Sequence, residues 1–182
     1  GRVGRHCEWV RWLHTRTHTT RRYTHIIMHS HKDHLLAAAQ QRASESNLQY
    51  FGALTPTEAW ELLQADADAV LVDVRTQAEL DWVGQIGFSE DRWVHVEWST
   101  YPEGSKNPDF LEAIQARVDT TQPVLLLCRS GARSHNAATL LSKHGYGMAI
   151  NVLEGFEGDK DEQQRRSSVN GWRHRGLPWE QH

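Results

Sequence analysis

The sequence predicts a three-layer α/β domain, with a parallel sheet between two layers of helices. Along residues 48–182, short apolar segments alternate with amphipathic helical segments, an order that favours parallel strands joined by helical crossovers. Residues 124–127, Val-Leu-Leu-Leu, form an unbroken apolar run that is typical of a strand buried on both faces. The composition agrees with a globular protein, because 24% of the residues are charged and 38% are hydrophobic.

The individual elements follow from apolar periodicity and from turn and capping residues. Strands are expected at residues 48–51, 69–74, 94–98, 124–127 and 149–153. Helices are expected to start near Thr55, Thr76, Asn107 and Asn136. The first start is the clearest, because Thr55, Pro56 and Glu58 form the pattern of a capping box with proline at the first helical position. The pattern does not determine the order of the strands in the sheet.

Residues 1–46 differ in composition from residues 47–182, which we take as the folded domain. The first segment contains eight Lys and Arg residues and three acidic ones, whereas the rest contains twelve and twenty. This segment is basic and rich in His and Arg, and no sustained apolar period runs through residues 1–24. We expect a disordered extension, or residues that are not native before Met28. A transit peptide is the alternative, although no apolar face supports it.

Several classes of partner are excluded by the composition. No apolar run approaches the length needed to cross a bilayer, so we expect no membrane association. The acidic balance of residues 47–182 argues against a nucleic-acid partner. The chain has two cysteines, Cys7 and Cys128, which do not form a disulfide framework. We therefore expect a cytoplasmic protein, since a reducing compartment keeps a thiol available for chemistry.

The strand at residues 124–127 ends at a cysteine and continues into a loop of small and basic residues. The loop reads Cys128-Arg129-Ser130-Gly131-Ala132-Arg133-Ser134, and a helical pattern follows it. Such a loop turns its backbone N–H groups inward, while the helix adds the positive end of its dipole. This setting and the two arginines favour a thiolate, so we expect Cys128 to be the nucleophile. Residues 129–134 would bind its anionic partner.

A second strand brings polar residues to the same edge of the sheet. Asp73 and Arg75 follow the strand at residues 69–74, and ligands of open α/β sheets bind where strands end. We expect these two side chains to support the cysteine loop through ion pairs and hydrogen bonds. His135 lies beside the loop and is interpreted as a residue of the helix N-terminus rather than a general base.

Four motifs together resemble the single-domain sulfurtransferases of the rhodanese-like family. They lie at residues 71–79, 128–134, 151–156 and 176–179, and the similarity covers residues 48–180. The resemblance implies a parallel five-stranded sheet flanked by helices and a Cys128 that cycles between thiolate and persulfide. It also implies a small sulfur-containing anion such as thiosulfate as donor, and cyanide, a thiol or a protein as acceptor. No metal and no organic cofactor are expected.

Three features depart from the usual pattern of that family. Gly84-Gln85-Ile86 stands where many members have Gly-His-Ile, and Gly155-Phe156 replaces a double glycine. A hydrophilic insert occupies residues 159–168. These differences lie around the expected pocket, so the choice of donor and acceptor stays open.

Two alternatives of different classes remain. Cysteine phosphatases and arsenate reductases use a similar loop, but they usually place an arginine six positions after the cysteine. Here Arg133 is five positions after Cys128, which shortens the loop and favours a single sulfur over a phosphate. The other alternative is a sulfur-relay or regulatory module that acts on a protein partner, which requires the same loop.

Overall fold

Five short strands lie at the centre of the protein, and helices cover both faces of the sheet. The structure is a computed structural model that describes the backbone of residues 7–182 and the side chains of residues 21–27 and 29–182. The strands are β1 Gly52–Leu54, β2 Val70–Asp73, β3 Trp93–His95, β4 Val124–Leu127 and β5 Ala149–Val152. The helices are α1 Cys7–Glu45, α2 Pro56–Ala65, α3 Gln77–Trp82, α4 Phe110–Gln115 and α5 Ala132–Lys143.

The sheet is parallel throughout, with the strand order β1-β5-β4-β2-β3. The parallel five-stranded sheet implied by the resemblance is thereby confirmed. Asp73 at the end of β2 is paired with Leu127 at the end of β4, so Cys128 follows at the same edge. Asn151 of β5 is paired with Leu126 on the other side of β4. Three neighbouring strands thus deliver polar or reactive side chains to one edge of the sheet.

Two hydrophobic clusters on opposite faces of the sheet account for the three predicted layers. Side chains alternate between the two faces of a strand. Val124 and Leu126 of β4 therefore pack with α4 and α5, whereas Leu125 and Leu127 pack with α1 and α2. Cys128 belongs to the cluster under α4 and α5.

The N-terminal segment differs from the expected disordered extension. Helix α1 continues to Glu45, and Leu35 and Ala39 near its end are buried in the cluster that contains α2. Arg42, on the following turn, forms an ion pair of 2.6 Å with Glu58 of α2. A narrow apolar face with a spacing of four residues is enough for this packing. Composition alone did not indicate it, because residues 1–46 as a whole are basic and the apolar run at residues 35–39 is short.

Part of the expectation for this segment lies outside the described residues. The residues concerned are 1–6, together with the side chains of residues 7–20, which include Cys7. The interpretation of Met28 as the natural start stays a prediction. Within the part of the chain that the structure describes, no helix combines the length and the apolar character needed to cross a membrane.

Several element boundaries differ from the predictions, among them the following two. The first strand begins at Gly52 rather than at residue 48, and Tyr50 is instead a buried loop residue that packs in the cluster under α5. Helix α5 begins at Ala132 rather than Asn136. Gly131 precedes it with a φ of 108°, a conformation that glycine adopts at little cost and that turns the chain directly into the helix.

The two tryptophans of the C-terminal segment pack on the body to different extents. Trp172 is fully buried, and its indole N–H donates a hydrogen bond of 2.9 Å to the carbonyl oxygen of Pro178. Trp179 is 40% exposed, and its ring lies edge-on to Phe156 at 6.2 Å. The hydrophilic insert at residues 159–168 turns around Asp161, whose carboxylate accepts hydrogen bonds from backbone N–H groups within the insert.

The contact between α1 and β1 leads to a prediction for Gly52. A methyl group on Gly52 would overlap the backbone carbonyl of Ala39. We therefore expect Gly52→Ala to lower the free energy of unfolding by about 1–3 kcal/mol, a typical cost of overpacking. Gly147→Ala is the matched control, because a methyl group there would meet nothing within 4 Å. Urea denaturation measures both variants, and equal stability of the two would contradict close packing of α1 on the sheet.

Candidate active site

The candidate nucleophile, Cys128, lies immediately after β4 and is 1% exposed. The backbone N–H of Gly131 donates a hydrogen bond of 3.1 Å to its Sγ. The hydroxyl oxygen of Ser134 lies 3.2 Å from the same sulfur. Both contacts come from the start of α5, so the positive end of the helix dipole also faces the sulfur. The amide N–H and the helix dipole would both interact favourably with negative charge on Sγ.

The side chain of Arg133 binds Glu79 of α3. Its two terminal nitrogens lie 2.7 and 2.9 Å from the two carboxylate oxygens, which is a bidentate ion pair. Burial lowers the pKa of the Arg133 guanidinium, but hydrogen bonds and charge from Glu79, with the charges of Cys128 and Asp73, raise it above its ordinary value. Burial likewise opposes ionisation of Glu79, but Arg133 and the N–H of Thr76 hold the pKa of this carboxyl below its usual range.

Asp73 and Arg75 form a fully buried ion pair beside the cysteine loop. Two nitrogens of Arg75 donate to the two carboxylate oxygens of Asp73 at 3.0 and 2.7 Å. A third donates to the carbonyl oxygen of Gly84 at 2.9 Å, and the guanidinium carbon lies 4.1 Å from the centre of the Phe156 ring. Breaking such a pair strands a buried charge, so its two members act together as a structural support.

The segment after β5 holds the cysteine loop by its backbone. The N–H of Phe156 donates to the carbonyl oxygen of Cys128 at 2.8 Å. The N–H groups of Glu157 and Gly158 both donate to the carbonyl oxygen of Arg129, at 3.0 and 3.2 Å. Gly155 has a φ of 69°, and its α-carbon lies so close to the loop that a side chain there would overlap Arg129.

The remaining predicted site residues lie around the mouth of the loop. Arg129 and Ala132 are exposed and Ser130 is half-buried. Arg129 is therefore the loop arginine whose charge faces solvent. His135 lies on the first turn of α5, as expected, and its Nδ1 is 2.7 Å from the hydroxyl oxygen of Tyr50.

Three residues of the site were not identified from the sequence as site residues: Glu79, Asn151 and Gly155. Glu79 had a detectable signal, since Thr76 and Glu79 form a capping box directly after β2 and so place the carboxylate at the same edge. Asn151 is a polar residue between apolar neighbours in β5, which is unusual for a buried strand. The close approach at Gly155 depends on tertiary contacts that no local pattern shows.

Comparisons with known proteins agree with this geometry. The family model of the rhodanese-like domain matches residues 55–162. The uncharacterised protein RP600 of Rickettsia prowazekii is 34% identical over 68% of this chain and 93% of its own length. The thiosulfate sulfurtransferase GlpE of Haemophilus influenzae is 28% identical over 59% of this chain and 87% of its own length.

Solved structures have the same fold. The crystal structure of Rv0390 from M. tuberculosis has a TM-score of 0.66 and 43% identity, covering 73% of this chain and 99% of that one. The polysulfide-sulfur transferase homodimer of Wolinella succinogenes has a TM-score of 0.51 and 21% identity, covering 83% of this chain and 87% of that one, and this likeness concerns the fold alone.

The close approach at Gly155 gives a prediction with a matched control. We expect Gly155→Ala to destabilise the protein by about 2–5 kcal/mol, because backbone strain and overlap with the loop add. Gly176 has a similar φ of 72°, but a methyl group there would meet nothing within 4 Å. Gly176→Ala should therefore cost only the strain, about 1–2 kcal/mol. Urea denaturation gives the free energy of unfolding of both variants, and the difference between their losses is the cost of the overlap with the loop. Equal losses would contradict the close approach of this segment to the loop.

The ion pair between Glu79 and Arg133 predicts a pH dependence of stability. Because the pKa of folded Glu79 is depressed, its ionisation stabilises the fold above the ordinary carboxyl pKa, and this stabilisation is lost as the pH falls through the folded value. We expect Glu79→Gln to reduce the free energy of unfolding by about 1–3 kcal/mol at neutral pH. The difference from wild type should shrink in acid.

Urea denaturation across the acidic and neutral range measures this dependence. Glu112→Gln is the control, because Glu112 is an exposed residue of α4. A difference between wild type and Glu79→Gln that stays constant with pH would refute a role for the ionised carboxylate.

Proposed function

Because the chain belongs to the rhodanese-like domain family, we propose that it is a sulfurtransferase in which Cys128 carries the sulfur as a persulfide. The observation that carries the proposal is the surroundings of Sγ, which lies at the end of a buried strand with an amide N–H at 3.1 Å and a hydroxyl at 3.2 Å. These groups suit an anionic sulfur. The relatives include proteins named as thiosulfate sulfurtransferases, which supports thiosulfate as a donor.

In the loading step, the Cys128 thiolate attacks the outer sulfur of the donor. A bond forms between Sγ and that sulfur, and the bond to the rest of the donor breaks. With thiosulfate, the leaving group departs as sulfite and keeps the electron pair of the broken bond. The product is a Cys128 persulfide anion, which the N–H groups at the start of α5 would stabilise as an oxyanion hole stabilises developing charge.

In the unloading step, a nucleophilic acceptor attacks the outer sulfur of the persulfide. The sulfur–sulfur bond breaks, and its electron pair returns to Sγ, which restores the thiolate. Cyanide would leave as thiocyanate, and a thiol would leave as a persulfide. The cycle is balanced without an external oxidant or reductant, and it requires neither a metal nor an organic cofactor.

The two loop arginines have different tasks in this mechanism. Arg129 is exposed at the mouth of the loop, where its charge would attract an anionic donor and assist an anionic leaving group. Arg133 is held by Glu79, so it contributes charge near Sγ without being free to follow the substrate. Asp73 and Arg75 support the loop from below. A cytoplasmic location and a protein acceptor are part of the proposal.

Intact mass spectrometry tests the persulfide directly. We expect the protein to gain the mass of one sulfur atom after incubation with thiosulfate and removal of excess reagent, and to lose it on addition of cyanide. Cys7→Ser should behave as wild type, whereas Cys128→Ser should gain nothing. No gain in wild type, or an equal gain in Cys128→Ser, would overturn the proposal. Hydrolysis of an aryl phosphate in that case would indicate the phosphatase alternative.

A further inference from the structure

A chain of hydrogen bonds continues from the sulfur of Cys128 into the sheet. The hydroxyl oxygen of Ser134 lies 3.2 Å from Sγ and 2.6 Å from Oδ1 of Asn151. Nδ2 of Asn151 donates to the carbonyl oxygen of Gly131 at 3.3 Å. That last bond fixes the orientation of the amide, since a carbonyl oxygen accepts only from the nitrogen side. Ser134 and Asn151 are both buried, so water does not replace these partners.

The positions of the protons follow from this orientation. Oδ1 of Asn151 carries no hydrogen, so the short contact with Ser134 requires the serine hydroxyl to donate. Ser134 has only one hydroxyl proton. While it is donated to Asn151, the contact between Ser134 and Sγ is satisfied only if the thiol of Cys128 is the donor. An anionic sulfur has no proton to give, and it would need the hydroxyl proton of Ser134 for itself.

We propose that Asn151 is a positioning residue that competes with the sulfur of Cys128 for the hydroxyl proton of Ser134. With a neutral thiol, the hydroxyl points to Asn151. When Cys128 loses its proton to solvent, or carries a persulfide anion, the hydroxyl rotates and donates to sulfur. Ser134 is thus a two-position switch whose resting position Asn151 sets. The inference deepens the proposed sulfurtransferase function and rests on it for its role in catalysis.

Tyr50 and His135 lie in a groove that Asn151 also lines. Burial raises the pKa of the Tyr50 hydroxyl, and its interaction with the Asn151 side chain partly offsets that effect. The same hydroxyl oxygen is 2.7 Å from Nδ1 of His135. Tyr50, His135 and Asn151 line a groove of about 420 Å³, together with Asn136. Asn151 is therefore bonded to the active loop and also lines this groove.

Charged groups near the sulfur also affect its ionisation, and the test must leave them in place. On the elements packed around Sγ, they are Asp73, Arg75, Glu79, Arg129, Arg133 and Glu154, besides Tyr50 and His135. The substitutions proposed below replace only uncharged residues. A change in the titration of the sulfur will then report the hydrogen bonds of Ser134 and Asn151.

The experiment titrates the thiolate by its ultraviolet absorbance in full-length protein. All variants carry Cys7→Ser, which leaves Cys128 as the single cysteine, and the same protein with Cys128→Ser provides the blank. Asn151→Leu keeps the approximate size of the side chain and removes the acceptor. We expect its titration midpoint to fall by about one pH unit, the value of one hydrogen bond, because Ser134 becomes free to donate to sulfur.

Ser134→Ala is the second single variant of a double-mutant cycle with Asn151→Leu. It removes the donor altogether, so the midpoint should rise by about one pH unit. The double variant should match Ser134→Ala alone, because in this proposal Asn151 affects the sulfur through the hydroxyl of Ser134. Asn136→Leu makes the same chemical change on the groove wall outside the hydrogen-bonded chain, and it should leave the midpoint unchanged.

Two results would overturn the proposal: an unchanged midpoint in Asn151→Leu, or an equal shift whether or not Ser134 is present. Asn151→Val is the second variant if Asn151→Leu shows no cooperative thermal unfolding, because valine suits a strand interior. The titration uses no sulfur donor. It therefore stays interpretable if loading with thiosulfate fails, and the two proposals can fail separately.

Discussion

The ion pair between Asp73 and Arg75 is the interaction on which the architecture of the site depends. Its guanidinium is fully buried and has directed partners: the Asp73 carboxylate, the carbonyl oxygen of Gly84 and the face of the Phe156 ring. These partners come from the end of β2, the segment after α3 and the segment after β5. Loss of one member of a buried pair typically costs about 3–5 kcal/mol. The pair therefore joins three separate parts of the chain at the edge where the cysteine lies.

Backbone hydrogen bonds connect this ion pair to the cysteine loop. Phe156 packs under Arg75 and at the same time donates its N–H to the carbonyl oxygen of Cys128. Gly155 lets the segment after β5 approach within contact distance of the loop. The ion pair between Glu79 and Arg133 stabilises the other side of the loop, because it joins α3 to the first turn of α5. The loop is thus held by main-chain contacts and buried charges, and its small residues need not form a core of their own.

Local patterns were sufficient to predict the layers, the strand that carries Cys128 and the capping box at Thr55, because each depends on neighbouring residues. The resemblance added the parallel five-stranded sheet. The packing of Leu35 and Ala39 on the body was missed, since the basic composition of residues 1–46 as a whole outweighed the short apolar run at residues 35–39. The pairing of Glu79 with Arg133 joins residues 54 positions apart in the sequence, and it depends on how β2 and β4 lie side by side.

The length of the loop supports the proposal that this site binds a single sulfur. Arg133 comes five positions after Cys128, and its side chain forms an ion pair with Glu79. The sixth position is Ser134, whose hydroxyl is 3.2 Å from Sγ. A loop that binds a phosphate oxyanion places a guanidinium where this loop places a neutral hydroxyl, and the two differ in charge and in number of donors. One amide at 3.1 Å and one hydroxyl at 3.2 Å fit the proposed cycle of Cys128 between thiolate and persulfide. A neutral hydroxyl at this position supplies no positive charge to balance a tetrahedral phosphate. The loop therefore supports the proposed sulfur transfer rather than the phosphatase alternative.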